Sequence, residues 1–201
     1  MTDQNQTNAQ EQLAFIKSIM DDSQKVVADS GSGFIVWGIL ILLAGTISIF
    51  LEYSGLDHLI GWLYAVIVGI GWGYMVLIYP KIEKFEIGNS LTKKIIDSIW
   101  KAVLISMTIL GFVGAASGTI DPERITAVIY TALGTAYYLQ GVITGKTWVR
   151  NLGFGWWLGS GALYFITGLP AGILSAGMMV GLQIVPGIIF NRQWKAQFTE
   201  E

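Results

Sequence analysis

The sequence predicts an all-α polytopic membrane protein, in which six transmembrane helices form three in-out-in hairpins and follow a cytoplasmic N-terminal amphipathic helix. The first observation is composition, because 53% of the residues are hydrophobic and 13% are charged, whereas soluble domains carry about 25% charged residues. The others are six apolar runs with uncharged interiors and a one-sided distribution of cations. These observations predict a transmembrane helix bundle over 33–190, between cytoplasmic segments at 1–32 and 191–201.

The six apolar runs have the length of membrane spans, because a helix needs about 20 apolar residues to cross the bilayer. Short links with acidic residues alternate with links rich in basic residues, as expected when successive links face different compartments. The inner link 80–99 is predicted to hold a surface helix that bends into the third span near Trp100. The predicted spans are 33–51, 59–79, 100–120, 123–143, 151–167 and 170–190.

Lysine and arginine lie almost entirely on one side of the predicted bundle. Of the 12 such residues, only Arg124 falls on the opposite side. The positive-inside rule places the cation-rich side in the cytoplasm, so both termini of this multi-pass protein are predicted to be cytoplasmic. The cations on that side are Lys17, Lys25, Lys81, Lys84, Lys93, Lys94, Lys101, Lys146, Arg150, Arg192 and Lys195.

Residues 9–30 have the pattern of an amphipathic helix, which the glycines around Ser32 interrupt. This helix either lies on the membrane or its own bundle, or docks a cytoplasmic protein partner. The first interpretation is favoured, because such apolar faces are usually covered locally. The apolar face comprises Leu13, Phe15, Ile16, Ile19, Met20, Val26 and Val27.

Several helix ends carry sequence signals. Asp121 is a predicted N-cap, followed by Pro122 at the first helical position and Glu123 at the positive end of the helix dipole. Pro170 is expected in the first turn of the last span, and Pro80 is expected to end the second span.

Small residues spaced four apart predict close helix contacts, since packing in lipid depends on near approach of helix backbones. We expect leucine at Gly177 or Gly181 to push two spans apart. The predicted pairs are Gly69/Gly73, Gly114/Gly118, Gly141/Gly145, Gly155/Gly159 and Gly177/Gly181.

The residue types argue against catalysis. Acids and bases occur only at the ends of the predicted spans, at Lys101, Glu123 and Arg124, and the chain has one histidine and no cysteine, so no catalytic constellation, metal site or cofactor is predicted. His58 with Asp57 and Glu52 could hold a cation, but a solvated rim is the favoured interpretation. The formal net charge of -2 gives no sign of direct nucleic-acid binding.

Polar and aromatic residues predict a pocket in the inner half of the bundle, suited to a small amphipathic ligand or a lipid. Pro186 deprives the carbonyl of Leu182 of its usual helical donor, which adds a further polar group. The alternative is that two glutamines satisfy one another and the kinked backbone across spans, and this is favoured. The candidate ligand-binding residues are Gln140, Gln183, Tyr137, Trp157, Tyr74 and Asn151.

Three segments resemble a group of small six-span bacterial inner-membrane proteins: 33–38 (Gly-Phe-Ile-Val-Trp-Gly), 146–159 (beginning Lys-Thr-Trp-Val-Arg) and 183–187 (Gln-Ile-Val-Pro-Gly). The resemblance covers most of the chain and implies a location in the bacterial inner membrane. It carries over no activity and no catalytic residues. Members of that group accompany small winged-helix transcription regulators, which implies a sensing or regulatory role.

Three classes of function remain open from the sequence. The first is a membrane-embedded binding or sensing protein without enzymatic activity, which acts through its N-terminal helix or inner loops. The second is a small-solute transporter or channel, indicated by Gly-rich, Pro-broken spans and by a shift of 63 residues that aligns Trp37 with Trp100 and Gly71 with Gly134. A lipid-handling enzyme is the least favoured of the three classes, since the sequence offers neither a nucleophile nor a base for catalysis.

Overall fold

The computed structural model describes residues 30–83 and 91–197, whose regular secondary structure is entirely helical, and this confirms the all-α class. The turn Asp57–Leu59 precedes α2, the turn Pro122–Arg124 precedes α5, and the π-helix Met179–Ile184 joins α7 to α8. The α-helices are α1 (Ser32–Tyr53), α2 (Ile60–Leu77), α3 (Tyr79–Glu83), α4 (Leu91–Ala116), α5 (Ile125–Ile143), α6 (Thr147–Leu163), α7 (Gly168–Met178) and α8 (Val185–Gln197).

Four helical segments among the described residues have the length and apolar composition needed to cross a membrane: Ser32–Tyr53, Asp57–Ile82, Leu91–Ala116 and Gly168–Ala196. The predicted spans 123–143 and 151–167 also form helices, α5 and α6, but these are not among the four. With 17 residues, α6 is shorter than the roughly 20 residues of a typical span. The structure thus contains four candidate membrane-spanning helices in a helical bundle.

Large apolar side chains cover the outside of the bundle. Examples with at least two thirds of their surface exposed are Phe50, Tyr53, Trp62, Leu158 and Phe165. Soluble proteins rarely expose contiguous apolar surface on this scale, whereas hydrocarbon is its natural solvent. The surface therefore agrees with a membrane protein.

Helices α5 and α6 form the most closely packed pair, and each carries at least five buried residues. They cross where Gly153 meets Gly134: a Cβ added at Gly153 would lie 2.8 Å from the carbonyl oxygen of Gly134. Helix α4 packs on α5, α7 packs on α6, and α1 packs on α2, the π-helix and α8. The hairpin α5–α6 thus packs against α4 and α7, while α1 joins α2, the π-helix and α8.

The predicted glycine contacts are correct only in part. Gly155 and Gly159 face Leu182 and Met178, so this predicted contact is confirmed. The predictions for Gly69/Gly73 and Gly177/Gly181 are wrong, because nothing lies within 4 Å of a Cβ added at any of these four positions. Spacing alone does not show which face of a helix its small residues occupy.

The cap at Asp121 is confirmed, since its carboxylate accepts a hydrogen bond of 3.0 Å from the backbone N–H of Glu123. Pro170 lies in the first turn of α7, as predicted. One boundary prediction was wrong, because Pro80 lies inside α3 rather than at the end of α2. The segment before Trp100 and the third span form one helix, α4. Most of the predicted amphipathic helix 9–30, the cap residues before α4 and the end of the C-terminal tail lie outside the described residues.

Candidate ligand-binding site

The start of α1 is fixed against α8. The side-chain amide of Asn191 donates a hydrogen bond of 2.7 Å to the carbonyl oxygen of Ser30. Gly31 has a φ of 65°, which glycine adopts at little cost, and its Cα lies against the backbone of α8 so closely that a side chain would collide. This contact places Phe34 beside Phe190, with 5.6 Å between ring centroids.

Tyr137 of α5 lies in the middle of a group of rings that we call the aromatic cluster: Phe34, Trp100, Tyr130, Tyr137, Trp156 and Phe190. The centroid of its ring is 5.3 Å from that of Trp100, edge to face, and 5.5 Å from that of Phe34. Trp156 stacks on it at 6.3 Å. These are favourable geometries for aromatic pairs, and they cover Tyr137 and Trp156 completely, with exposed fractions of 0%.

Two buried glutamines border the aromatic cluster and are joined through it. The indole N–H of Trp100 donates a hydrogen bond of 3.0 Å to Oε1 of Gln140, and the hydroxyl of Tyr137 donates one of 2.8 Å to Oε1 of Gln183. Because Trp100 and Tyr137 are in ring contact, both amides belong to one connected group. Aromatic donors, rather than the other glutamine, thus satisfy each amide oxygen, as burial of a polar group requires.

Some N–H groups at the cluster donate no hydrogen bond within the described part of the chain. The amide nitrogens of Gln140 and Gln183 donate no hydrogen bond to any described residue. The indole N–H of Trp156 is buried without a hydrogen-bond partner in the described part of the chain. A buried donor without a partner costs about 1–3 kcal/mol, so the indole N–H of Trp156 is a feature that the packing of the cluster does not explain.

The other predicted site residues lie apart from this cluster. Trp157 donates its indole N–H to the carbonyl oxygen of Thr131, 3.1 Å away, and its ring packs on those of Tyr138 and Phe154. Asn151 is exposed in the second turn of α6, and Tyr74 is half-buried on α2. The structure therefore brings together Gln140, Gln183 and Tyr137.

A second set of polar contacts lies nearer the start of α5. The hydroxyl of Tyr130 bonds that of Ser175 on α7 at 2.5 Å. Ser160 on α6 donates a hydrogen bond of 2.7 Å to the carbonyl oxygen of Ala127 and bonds the hydroxyl of Thr131 at 2.7 Å. All these hydroxyls have partners, so this set holds helices together without offering a free donor.

Two cations lie near the glutamine end of the aromatic cluster. The ammonium of Lys146 lies 5.8 Å from the ring centroid of Phe190, and burial lowers the pKa of Lys146. One turn further along α6, Nε of Arg150 is buried with no hydrogen-bond partner in the described residues. A positively charged edge thus borders this end of the cluster.

A surface groove of about 400 Å³ lies on α4, lined by Lys94, Ile95, Ser98, Ile99 and Ala102. These residues belong to one helix, so the groove is open and encloses no ligand. It is separate from the aromatic cluster.

The sequence analysis did not select Phe34, Trp100 or Trp156 as site residues. Trp156 and Trp157 are neighbours in sequence, and only the helix crossing decides which of them faces inward. For α5 a signal was present, because Tyr130, Tyr137 and Gln140 recur at intervals of seven and three residues, which places them on one helical face.

Comparisons with protein families, with curated proteins and with solved structures find no match for this chain. The resemblance to small six-span bacterial inner-membrane proteins therefore stays a prediction. The case for a function rests on the geometry of the aromatic cluster and its two glutamines.

Proposed function

We propose that this protein is a membrane-embedded binding or sensing protein without enzymatic activity, whose ligand is recognised at the aromatic cluster and its two glutamines. The observation that carries this proposal is the burial of two glutamines around Tyr137, beside the indole N–H of Trp156, which has no hydrogen-bond partner among the described residues. Polar groups are expensive within hydrocarbon and commonly mark functional positions there. A site lined mainly by aromatic rings, with a few convergent polar groups, has the usual character of a small-molecule site.

In this proposal Gln140, Gln183 and Tyr137 contact the ligand. Trp157, Tyr74 and Asn151 remain candidate residues at the periphery. The ligand is a small amphipathic molecule or a lipid, because the walls are aromatic and a cationic edge borders one end. The site offers hydrogen bonds and apolar contact, but no nucleophile paired with a base.

Six membrane spans with both termini in the cytoplasm of a bacterial cell are part of the proposal. The close packing of α5 on α6 supports it, since helix faces that are covered by protein need not be as apolar as faces that contact lipid. The hydrogen bond between Asn191 and Ser30 puts the start of α1 and the end of the bundle together, as an even number of crossings requires.

The absence of native cysteines makes topology directly testable. We expect single variants Ser117→Cys and Thr167→Cys to react with an impermeant maleimide added outside intact cells. Thr144→Cys is expected to react only after permeabilisation. Labelling of all three from the same side would show that α5 and α6 do not cross the membrane.

Ligand retention tests the binding function. Protein purified into nanodiscs of phosphatidylethanolamine and phosphatidylglycerol is analysed by native mass spectrometry for a retained small molecule or lipid. We expect a retained species in the wild type and in the lipid-facing control Trp62→Phe, and its loss in the double variant Gln140→Leu/Gln183→Leu. A wild-type protein that retains nothing would contradict the proposal.

A sensing protein must also pass its signal to another molecule. We propose that the predicted segment 9–30 contacts a cytoplasmic protein partner. We expect cross-linking in cells to capture a partner with the full chain and to lose it when residues 1–30 are deleted. If the full-length protein and the variant that lacks residues 1–30 give the same cross-linked products, this segment is not the contact for the partner.

A small-solute transporter is the second candidate, because the last membrane segment contains a π-helix that ends two residues before Pro186. Interrupted helices are a common feature of transporter substrate sites. Solute flux into proteoliposomes, abolished by Gln183→Leu, would favour transport over sensing.

A further inference from the structure

We propose that the exposed side of α6 binds an anionic phospholipid, with the lipid phosphate at Arg150 and an acyl chain along the rings of Phe154 and Trp157. This surface shares no residue with the aromatic cluster, so it is a second site and goes beyond the ligand site proposed above. It relies on the proposed function only for the position of α6 across the membrane, which puts Arg150 at the cytoplasmic surface.

The guanidinium of Arg150 has no counter-charge among the described residues. Its Nε is buried without a hydrogen-bond partner, and no carboxylate in the described part of the chain pairs with it. The start of α6 offers no anion either, because its first turn has no acidic residue and its N-cap makes no side-chain hydrogen bond. A partly buried cation without an acceptor is costly, and the positive end of the α6 dipole adds to the attraction for an anion.

The arginine at the other end of α6 has a different environment. Arg124 donates hydrogen bonds of 2.7 Å and 3.4 Å to the carbonyl oxygens of Tyr164 and Leu163, at the negative end of the same helix. Protein groups therefore compensate the charge of Arg124. For Arg150, an anion from outside the described residues would do so, and phosphate is the anion that a membrane surface offers.

The side chain of Arg150 starts from a fixed backbone at the contact between α5 and α6. A Cβ added at Gly141 would lie 2.7 Å from the Cβ of Arg150, so the two helices touch there. Nε is covered while the residue as a whole is half-buried, and the two Nη nitrogens form the accessible end of the guanidinium. Such a planar end can bind phosphate through two parallel hydrogen bonds.

Three rings lie at the surface of α5 and α6, one to two turns beyond Arg150. Phe154 and Trp157 follow Arg150 at spacings of four and seven residues, which places all three on one side of α6. At 1.5 Å per residue, the two rings start about 6 Å and about 10 Å further along the helix axis. Tyr138 of α5 completes the group, since its ring centroid is 5.6 Å from that of Phe154 and 5.3 Å from that of Trp157.

The surface beyond Arg150 is suited to an acyl chain. Phe154 is 46% exposed, and Leu158, one turn further along α6, is 77% exposed. A phosphate held at Arg150 therefore directs the chains of the same lipid onto aromatic and aliphatic side chains. The combination of one cation at the surface with an apolar strip below it matches a phospholipid rather than a soluble phosphate compound.

The neighbouring polar groups favour a lipid with net negative charge. Neither α5 nor α6 contains an aspartate or glutamate, so the ammonium of a zwitterionic headgroup finds no partner on these helices. Thr147 and Asn151 are exposed on either side of Arg150, and their hydroxyl and amide can bond a neutral headgroup such as glycerol. Phosphatidylglycerol has both features, a charged phosphate and a neutral headgroup.

Native mass spectrometry of the full-length protein in tetraethylene glycol monooctyl ether tests this inference, because it resolves each bound molecule. Dioleoylphosphatidylglycerol is compared with dioleoylphosphatidylethanolamine, with dioleoylglycerol, which lacks the phosphate, and with sn-glycerol 3-phosphate, which lacks the chains. The measured quantity is the dissociation constant of the first bound molecule. We expect phosphatidylglycerol to bind the wild type about threefold to tenfold more tightly than the other two lipids, and the soluble phosphate to bind far more weakly than any of them.

Matched variants locate the site. Arg150→Gln is expected to weaken binding of phosphatidylglycerol about tenfold, because it removes charge-assisted hydrogen bonds. The control Arg192→Gln removes an exposed arginine of α8 and is expected to change the affinity by less than about twofold, because exposed charges are screened. Phe154→Ala is expected to weaken binding about threefold through lost apolar contact, whereas Phe50→Ala, on α1, leaves it unchanged.

Equal affinities for phosphatidylglycerol and dioleoylglycerol, or equal losses in Arg150→Gln and Arg192→Gln, would overturn the inference. Tight binding of sn-glycerol 3-phosphate would overturn it too, in favour of a soluble ligand. Should Arg150→Gln fail to fold, Phe154→Ala decides, and an affinity equal to that of Phe50→Ala would reject the site.

Failure of this site is distinguishable from failure of the proposed function. The double variant Gln140→Leu/Gln183→Leu is expected to bind phosphatidylglycerol as the wild type does, because neither glutamine belongs to the α6 surface. A lipid that Arg150→Gln loses and the double variant retains is therefore bound at α6. The cysteine-labelling experiment tests the position of α6 independently of these affinities.

Discussion

Gly153→Ala tests the central contact of the bundle, where α5 and α6 cross. An added Cβ would lie 2.8 Å from the carbonyl oxygen of Gly134 and 2.9 Å from the backbone nitrogen of Tyr138. Both neighbours are backbone atoms, so the helices themselves must move apart. Overpacking of this kind costs about 1–3 kcal/mol, while glycine to alanine within a helix gains about 1 kcal/mol of propensity.

Gly177→Ala is the matched control, because no atom lies within 4 Å of a Cβ added there. The gain in helix propensity is similar at both positions, so the difference between the two variants isolates the steric cost. We expect Gly153→Ala to have an unfolding free energy about 1–3 kcal/mol below that of Gly177→Ala.

Unfolding in dodecyl maltoside micelles with a rising fraction of dodecyl sulfate, followed by tryptophan fluorescence, gives both free energies on one scale. Equal values for the two variants would refute the close approach of α5 and α6 at Gly153. A destabilised Gly177→Ala would instead indicate that this face contacts another helix.

Three further variants test individual contacts. Tyr137→Phe removes the donor to Gln183 and is expected to lower the unfolding free energy by about 1–3 kcal/mol, measured in the same micelles. Arg124 donates a hydrogen bond of 2.7 Å to the carbonyl oxygen of Tyr164, so Arg124→Gln is expected to cost about 0.5–1.5 kcal/mol, with the exposed Arg192→Gln as its control. Burial lowers the pKa of Lys146, so charge on Lys146 disfavours the folded state below that pKa. Wild-type stability is therefore expected to rise as pH increases from the folded pKa toward the ordinary value of 10.5; thermal scans between pH 7 and pH 11 are expected to show a smaller rise for Lys146→Met.

Composition and apolar run length were enough to predict the helical class and the position of each main helix. Apolar run length predicts helices well, because a chain that crosses hydrocarbon must satisfy its backbone hydrogen bonds internally. Hydropathy is least informative for α5 and α6. Tyr137, Gln140 and Asn151 add polar groups to these helices, and the first two are covered by neighbouring helices.

Only those site residues whose side-chain chemistry is unusual for a membrane span could be predicted from the sequence. Gln140 and Gln183 stood out because amides are uncommon in apolar spans, and the structure buries both. Trp156 could not be separated from Trp157, since rotation of α6 against α5 decides which ring turns inward. That rotation is fixed by the contact of Gly153 with Gly134, which spacing of four residues does not reveal.

Pro186→Ala tests whether the π-helix positions Gln183. Proline has no N–H, so the carbonyl of Leu182 lacks its usual α-helical donor, and the preceding segment uses bonds that span five residues. Alanine restores the donor and favours a regular α-helix.

Loss of the extra residue in the π-turn rotates Gln183 by about 100° relative to α8, away from the hydroxyl of Tyr137. The double-mutant cycle of Tyr137→Phe with Gln183→Leu measures this contact. We expect a coupling of about 0.6–1.7 kcal/mol with Pro186 in place and a coupling near zero in the Pro186→Ala background. Because the cycle compares couplings, any change in overall stability caused by Pro186→Ala cancels. A coupling that is the same in both backgrounds would show that Gln183 meets Tyr137 without help from the π-helix.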